Sequence, residues 1–292
     1  MSNRILVLGA NGMLGGSIHR YFSLKSNFDV KGTVRSDVNR DIISKLGFNN
    51  IISGVDVDDV QSVEEIITEF RPDFVFNCIG IIKQLDTAKK PVPSIKINAL
   101  LPHILADICL RNDARLVHFS TDCVFAGTRG MYKESDIPDA TDLYGRSKLL
   151  GEVDYAPHLT LRTSIIGHEL NSNVSLIDWF LSQSSAIQGY SRAFFSGMPT
   201  VYVAKFIEDY VVPNSNLTGV YHLSAERIDK FSLLGLIKDV YKKGIDINKN
   251  ETFFIDRSLD STSLRTSVGF VPPSWNELIR MMHDEYLRDF NA

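Results

Sequence analysis

The first fifteen residues constrain the fold more than any other part of the chain. Arg4-Ile-Leu-Val-Leu8 is a short apolar run, Gly9-Ala-Asn-Gly12-Met-Leu-Gly15 follows it directly, and a helical pattern then continues through Leu24. Strand, tight glycine turn and helix in that order open a βαβ unit. The glycines let the main chain turn sharply, let an anionic group approach it, and let helix pack closely on strand. The helix N-terminus behind them presents free N–H donors. The segment Gly9, Asn11, Gly12, Met13, Leu14 and Gly15 is therefore predicted to hold a pyrophosphate, although the spacing is Gly-x-x-Gly-x-x-Gly rather than the commoner Gly-x-Gly-x-x-Gly.

The same alternation continues downstream. Strands are predicted at Phe28 to Val34, Asn50 to Val55, Asp73 to Ile79, Arg115 to Thr121 and Leu159 to Ser164, with helices near Asp37 to Leu46, Val60 to Phe70, Ser94 to Arg111 and within Asp142 to Glu152. Strand alternating with helix means a parallel sheet, so the expected fold class is α/β, a Rossmann-type doubly wound parallel sheet with a smaller C-terminal lobe. Residues 1–165 are expected to form the dinucleotide-binding domain, with segments near 199–224 rejoining it, and residues 166–292 mainly the substrate-binding lobe.

In such sheets ligands are met at the carboxyl ends of the strands. Arg35 and Ser36 stand where an NAD-preferring fold offers a carboxylate to the ribose, and arginine there suits a 2′-phosphate, so NADP is expected over NAD. Asp56 and Val57 are placed to meet the adenine ring. Cys78, Ile79 and Gly80 close the fourth strand where backbone passes near the cofactor, and Ile166 is expected near it after the sixth. The following loop carries Lys83, a substrate candidate, and the next helix carries Asn98.

The chemistry is expected from Tyr144 and Lys148, four residues apart in a helical segment and so on one face. A phenol titrates near pH 10, and a fixed ammonium nearby favours its ionised form, bringing it toward the working range. Thr121, delivered by the fifth strand with Ser120, Asp122 and Cys123, is the candidate partner for a substrate oxygen.

Composition removes several alternatives. The 292 residues are 44% hydrophobic, enough for a large core, and the net charge of −4 with no basic run of five offers nothing to a nucleic acid or anionic membrane. The three cysteines, Cys78, Cys109 and Cys123, form no Cys-x-x-Cys pair, no cluster has metal-ligand spacing, and no uninterrupted apolar run approaches 18 residues. A cytoplasmic protein without a metal or a membrane partner is expected.

Gly9-x-x-Gly12-x-x-Gly15, Ser120-Thr121-Asp122-x-Val-Phe-x-Gly127, Tyr144-Gly-Arg-Ser-Lys148-Leu-x-Gly-Glu152 and Leu161-Arg-Thr-Ser164, in that order, resemble the extended short-chain dehydrogenase/reductase superfamily, and within it the dTDP-4-dehydrorhamnose reductase branch. The resemblance covers most of the chain. It implies an NADPH-dependent reduction of the C4 keto group of a nucleotide-activated 4-keto-6-deoxyhexose, serving deoxysugar supply for surface polysaccharide, with NADH a possible substitute and a helix-paired homodimer an expected assembly. By position, Thr121 orients the keto oxygen, Tyr144 protonates it, and Lys148 holds the nicotinamide ribose and tunes Tyr144. Departures narrow the reaction. The Asp-Glu pair of the 4,6-dehydratases reads Asp122-Cys123 here, so their proton-abstracting glutamate is absent. GDP-fucose synthases have the cysteine, but with a histidine whose position falls nearest Asn173, His168 being too early. An epimerase or epimerase-reductase, and a non-catalytic subunit like the methionine adenosyltransferase β subunit, are the alternatives.

Beyond the sixth strand, Trp179 is expected in a core at helical spacing from Leu176 and Phe180. Ser191, Arg192, Phe195 and Met198 lie where related reductases place nucleotide or sugar, Arg192 being the candidate for the diphosphate; Asp122, Cys123 and Met198 complete the expected substrate contacts. A helix over Val203 to Val212, a strand Val220 to Ser224 rejoining the sheet, and helices Phe231 to Tyr241 and Trp275 to Leu287 follow. His118, His158 and His222 are read as packed or surface residues.

Overall fold

Ile5, Leu6, Val7 and Leu8 are wholly buried, as befits a strand covered on both faces. They form β1 (Asn3–Leu8) in a computed structural model that describes residues 2–35, 50–83, 89–170 and 174–290. The remaining strands are β2 (Phe28–Val34), β3 (Ile51–Ser53), β4 (Phe74–Asn77), β5 (Arg115–Thr121), β6 (Leu159–Thr163), β7 (Ile165–Ile166), β8 (Ile187–Tyr190), β9 (Ala193–Phe195), β10 (Met198–Pro199), β11 (Gly219–His222), β12 (Ile228–Asp229), β13 (Ile247–Asn250) and β14 (Ile255–Asp256). Seven of them form one sheet in the order β11-β6-β5-β4-β1-β2-β3, and the pairs β3/β2, β2/β1, β1/β4 and β4/β5 are parallel. Strand β1 lies inside the sheet next to the central β4, with the chain wound outward from it on both sides, which is the doubly wound arrangement expected.

The helices begin where local chemistry starts them. α1 (Met13–Ser23) has Gly12 as N-cap with no side-chain cap, whereas α2 (Val60–Phe70) is capped by Asp59, which accepts from the Ser62 N–H, and ends at Arg71 in the left-handed region. α3 runs from Pro91 to Arg111, starting three residues before the expected Ser94 because proline is well suited to a first helical turn. Its middle, Ile95–Leu100, is π-helical. At 21 residues, with an 18-residue stretch of mean hydropathy 1.2, α3 is long and apolar enough to cross a membrane by length and composition, yet half of that stretch is buried, with Leu101, Leu105, Ala106, Ile108 and Cys109 packed into the core with Leu6, Leu8, Val63 and Ile67.

Further on come α4 (Leu143–Leu150), α5 (Leu176–Ser182), and α6 (Thr200–Phe206), which continues as the π-helical stretch Ile207–Val211; then α7 (Lys230–Val240), α8 (Thr262–Val268) and α9 (Trp275–Asp289), which opens on a reciprocal capping box between Ser274 and Glu277. The expected helix over Asp37 to Leu46 lies outside the described residues. Two compact units emerge: residues 1–120, 141–161 and 204–220 in the first, and 121–140, 162–203 and 221–292 in the second. The second contains two small sheets built on β9 and β8, ordered β12-β9-β14 and β13-β8, and the β10/β7 pair.

Trp179 does not fill the core: it is 37% exposed, and Ile177 and Phe180 are the buried side chains of α5. A seven-residue helix has one inward stripe, and Trp179 falls off it.

Candidate active site

The glycine turn is built as its sequence demands. Gly9 has φ +81°, the left-handed region that favours glycine, and the Gly12 N–H donates to the Gly9 carbonyl at 3.1 Å. A Cβ on Gly15 would stand 2.2 Å from the Gly9 oxygen and 3.1 Å from the Cys78 Cβ, and one on Gly9 would stand 2.9 Å from Ile79. The turn is thus sealed behind by Cys78 and Ile79, while Asn11 and Gly12 are exposed in front and Met13 half-buried. The first N–H groups of an eleven-residue helix open there with no side chain capping them. This arrangement fits a dinucleotide phosphate, which would take those donors.

The other expected cofactor residues separate into two groups. Arg35 is exposed just beyond β2 and Asp56 is exposed after β3, its carboxylate accepting from the Asp58 N–H at 3.0 Å. Val57 instead packs into the core with Val55 and Val63. Ser36 lies outside the described residues.

Tyr144 and Lys148 sit on α4, started by Asp142, whose carboxylate accepts from the Gly145 N–H at 2.9 Å and pairs with Lys83 at 2.7 Å. The substrate candidate Lys83 therefore stands at the head of the helix bearing Tyr144. Asn98 joins the same assembly: its carbonyl oxygen accepts from the Ile81 N–H at 2.9 Å, and its amide donates to the Ile81 oxygen at 3.1 Å and to the Ser147 hydroxyl at 3.3 Å. It sits in the π-helical stretch of α3, a distortion frequent at functional sites. A Cβ on Gly80 would meet the Asn98 side chain at 3.5 Å, and one on Gly151 would meet the Asn98 carbonyl oxygen at 2.0 Å. Glycine at 151 is what lets α4 and α3 approach this closely.

Tyr144 is half-buried, whereas Lys148 is only 6% exposed. Its ammonium donates to the Phe119 carbonyl at 2.6 Å and lies 3.3 Å from Nε2 of His118. Burial, partly offset by the charges of Glu152 and Cys78, pushes Lys148 down to about 8. Burial pushes the Cys78 thiol up, and the facing charge of Lys148 acts against that. Cys78 thus connects Lys148 to the glycine turn. His118 was expected as a packed or surface residue; it is buried and a direct neighbour of Lys148.

In the second unit, Thr121 ends β5 and caps a single 3-10 turn over Asp122–Val124. Its hydroxyl donates to Asp122 and accepts from the Cys123 N–H, both at 3.1 Å. Two cations that sequence reasoning missed face this turn. Lys230, at the start of α7, and Arg257, just past β14, both act on Asp122, whose pKa burial raises and Arg257 opposes. Arg257 is fixed by donating to the Phe125 carbonyl at 2.8 Å. Nothing in their local sequence marks them, since each reaches the turn across more than a hundred residues.

The remaining candidates fall elsewhere in the second unit. Arg192 is exposed in the β8–β9 turn with its guanidinium 5.4 Å from the Phe254 ring centroid. Met198 and Ile166 are buried in the β10/β7 pair, Met198 donating its N–H to the Ser164 oxygen at 2.8 Å. Phe195 is buried against Trp275, with ring centroids 5.7 Å apart. His168 bonds Asp178 at 2.7 Å and the Tyr241 hydroxyl at 2.8 Å, which ties α5 to α7; Asn173 lies outside the described residues.

Sheet order, glycine turn and the Tyr144/Lys148 helix together define a Rossmann-type protein of the extended short-chain dehydrogenase/reductase kind. The chain belongs to the RmlD substrate binding domain family, whose model matches residues 3–244. Among curated relatives, the "Probable low-salt glycan biosynthesis reductase Agl14" of Haloferax volcanii is 33% identical over 147 residues, 50% of this chain and 46% of that protein. The chain thus spans about half the length of the first relatives it matches. A dTDP-4-dehydrorhamnose reductase of Aggregatibacter actinomycetemcomitans is 27% identical over 234 residues, covering 76% of this chain and 74% of the relative. Among solved structures, a dTDP-4-dehydrorhamnose reductase of Bacillus anthracis in complex with NADP superposes with a TM-score of 0.80 at 23% identity, over 98% of this chain and 99% of that one, a likeness of fold.

Proposed function

We propose that this chain is a cytoplasmic NADP-dependent reductase of the C4 keto group of a nucleotide-activated 4-keto-6-deoxyhexose, acting in deoxysugar supply for surface polysaccharide. The observation that carries the reading is the buried Lys148, one helical turn from Tyr144 and connected through Cys78 to an uncapped glycine turn. The first unit then serves the cofactor and the second the sugar nucleotide. NADPH, when bound, supplies the hydride.

The chain's own residues have the following parts. The α1 N–H groups hold the pyrophosphate, and Arg35 favours the 2′-phosphate. Tyr144 gives its phenolic proton to the oxygen at C4 as the carbonyl becomes an alcohol. Lys148, as its ammonium, places positive charge near the phenol while the phenolic proton leaves. Thr121 orients the keto oxygen by turning its hydroxyl from Asp122 to the substrate, and Lys230 and Arg257 supply positive charge on the substrate side. Retention of Thr121, Tyr144 and Lys148 together supports an enzyme over a regulatory subunit.

The test is a cofactor-oxidation screen of the purified protein against dTDP-, UDP- and GDP-linked 4-keto-6-deoxy sugars, with NADPH and NADH in parallel. Tyr144→Phe is expected to abolish turnover with NADPH binding nearly intact, because only the proton donor is lost. Turnover at the parent rate in that variant overturns the reading.

A further inference from the structure

Two buried residues stand behind Lys148. Nε2 of His118, a residue with 0% exposure, lies 3.3 Å from Nζ of Lys148, and Nδ1 of the same ring lies 3.1 Å from the amide nitrogen of Asn77. Asn77 is buried as well, and its side-chain oxygen accepts from the Ile79 N–H at 3.2 Å. These contacts admit one consistent assignment of protons. A main-chain N–H only donates, so the Asn77 atom facing Ile79 is the oxygen, and the atom facing His118 is the NH₂. His118 Nδ1 must then accept, which leaves the single proton of the neutral ring on Nε2, aimed at Lys148.

His222, in the second unit, has the opposite arrangement. Its Nδ1 donates to the carbonyls of Tyr132 at 3.0 Å and Asp260 at 3.2 Å, and its Nε2 accepts from Arg162 at 3.2 Å. A cation there meets a bare ring nitrogen. At Lys148 the cation meets an N–H instead. An ammonium has three donors and no acceptor, whereas a free amine has a lone pair that can take that N–H.

We propose that Asn77 and His118 are a positioning pair that holds a ring N–H against Lys148, favours its free amine, and thereby lets Lys148 change protonation state at working pH. The proposal rests on the reductase reading for its use: once Tyr144 has released its proton, Lys148, one turn along α4, refills it and is left as an amine accepting from His118. No electron changes hands, and the proton lost from Nζ is the one gained by the phenolate. The groups acting on Lys148 are Glu152 just past α4 and Cys78 after β4, both favouring the ammonium, and His118 on β5; His103 of α3 acts on His118. Tyr144 shares its helix. Burial opposes the ammonium and outweighs these charges, and it keeps His118 neutral.

The test uses the full chain and needs no substrate. Long-range proton–nitrogen NMR correlation of ¹⁵N-histidine protein reads which ring nitrogen of His118 bears the proton, with His118→Gln giving the assignment. The ¹³Cε resonance of Lys148, assigned by Lys148→Met, reads its titration. Parent protein is expected to carry the proton on Nε2. In Asn77→Asp the new carboxylate accepts from Nδ1 and moves the proton there, and the Lys148 midpoint rises by about one pH unit. Asn77→Ala, which frees the ring without adding charge, raises the midpoint by less. A parent proton on Nδ1, or a Lys148 midpoint unmoved in both variants, overturns the proposal. If the tautomer and midpoints behave as stated and no sugar nucleotide is reduced, the reductase reading fails and the pair stands.

Discussion

Replacing Lys148 by Met is expected to leave a stability difference from the parent that changes with pH in one window only. In the folded chain Lys148 is pushed down from an ordinary 10.5 to about 8 by burial. Below pH 8 the lysine is charged in both folded and unfolded chains, and the fold bears the full cost of a buried ammonium. Between pH 8 and 10.5 the unfolded chain binds the extra proton, so parental stability rises with pH; above 10.5 both states are neutral and the cost is gone. At about 1.36 kcal/mol for each pH unit, the window amounts to about 3 kcal/mol. Methionine has no charge to bury. The stability of Lys148→Met minus that of the parent should therefore be constant up to pH 8 and fall by about 3 kcal/mol by pH 10.5. Its constant part contains the lost bond to the Phe119 carbonyl and any repacking, about 1–2 kcal/mol against the variant. Urea melts of both proteins at half-unit pH steps give the difference directly, because other titrating groups cancel. A flat difference across pH 8–10.5 would refute the argument that a buried, charged Lys148 is held at cost.

Other outcomes follow from the same structure. Arg35→Asp is expected to lose the preference for NADPH over NADH, measured as the ratio of kcat/KM values; an unchanged ratio removes Arg35 from the phosphate site. Gly151→Ala drives a methyl to 2.0 Å from the Asn98 carbonyl oxygen, so α4 must move off α3, at about 1–3 kcal/mol of stability by urea melt. His222 is pushed down to about 4 by burial, with the Arg162 charge adding to it. The unfolded chain binds the extra proton between about pH 6.5 and 4, so stability should fall as pH drops through that window by up to about 3 kcal/mol, and His222→Gln should remove that part of the acid sensitivity.

What the sequence determined by itself was mostly what neighbours along the chain determine. The Gly9–Gly15 turn was legible because its positive φ and the helix opening behind it are local requirements, and β5 runs from Arg115 to Thr121 as read, with Leu116, Val117 and Phe119 as its apolar residues. Helix spacing put Tyr144 and Lys148 on one face, and the motifs around them, rather than the spacing alone, marked the pair as chemistry. Local reading failed in two ways: at Pro91, read as loop, one local rule was passed over, since proline suits a first helical turn, and at Trp179, read as core, the packing of a short helix turned the side chain outward. Tertiary structure alone decided that Asn77, His118 and Lys148 meet, that Lys230 and Arg257 face the Asp122 turn, and that Met198 and Ile166 are buried. Strand neighbours in this sheet come from distant parts of the chain, so the environment that sets a proton's place or a side chain's exposure is written in no single stretch of it.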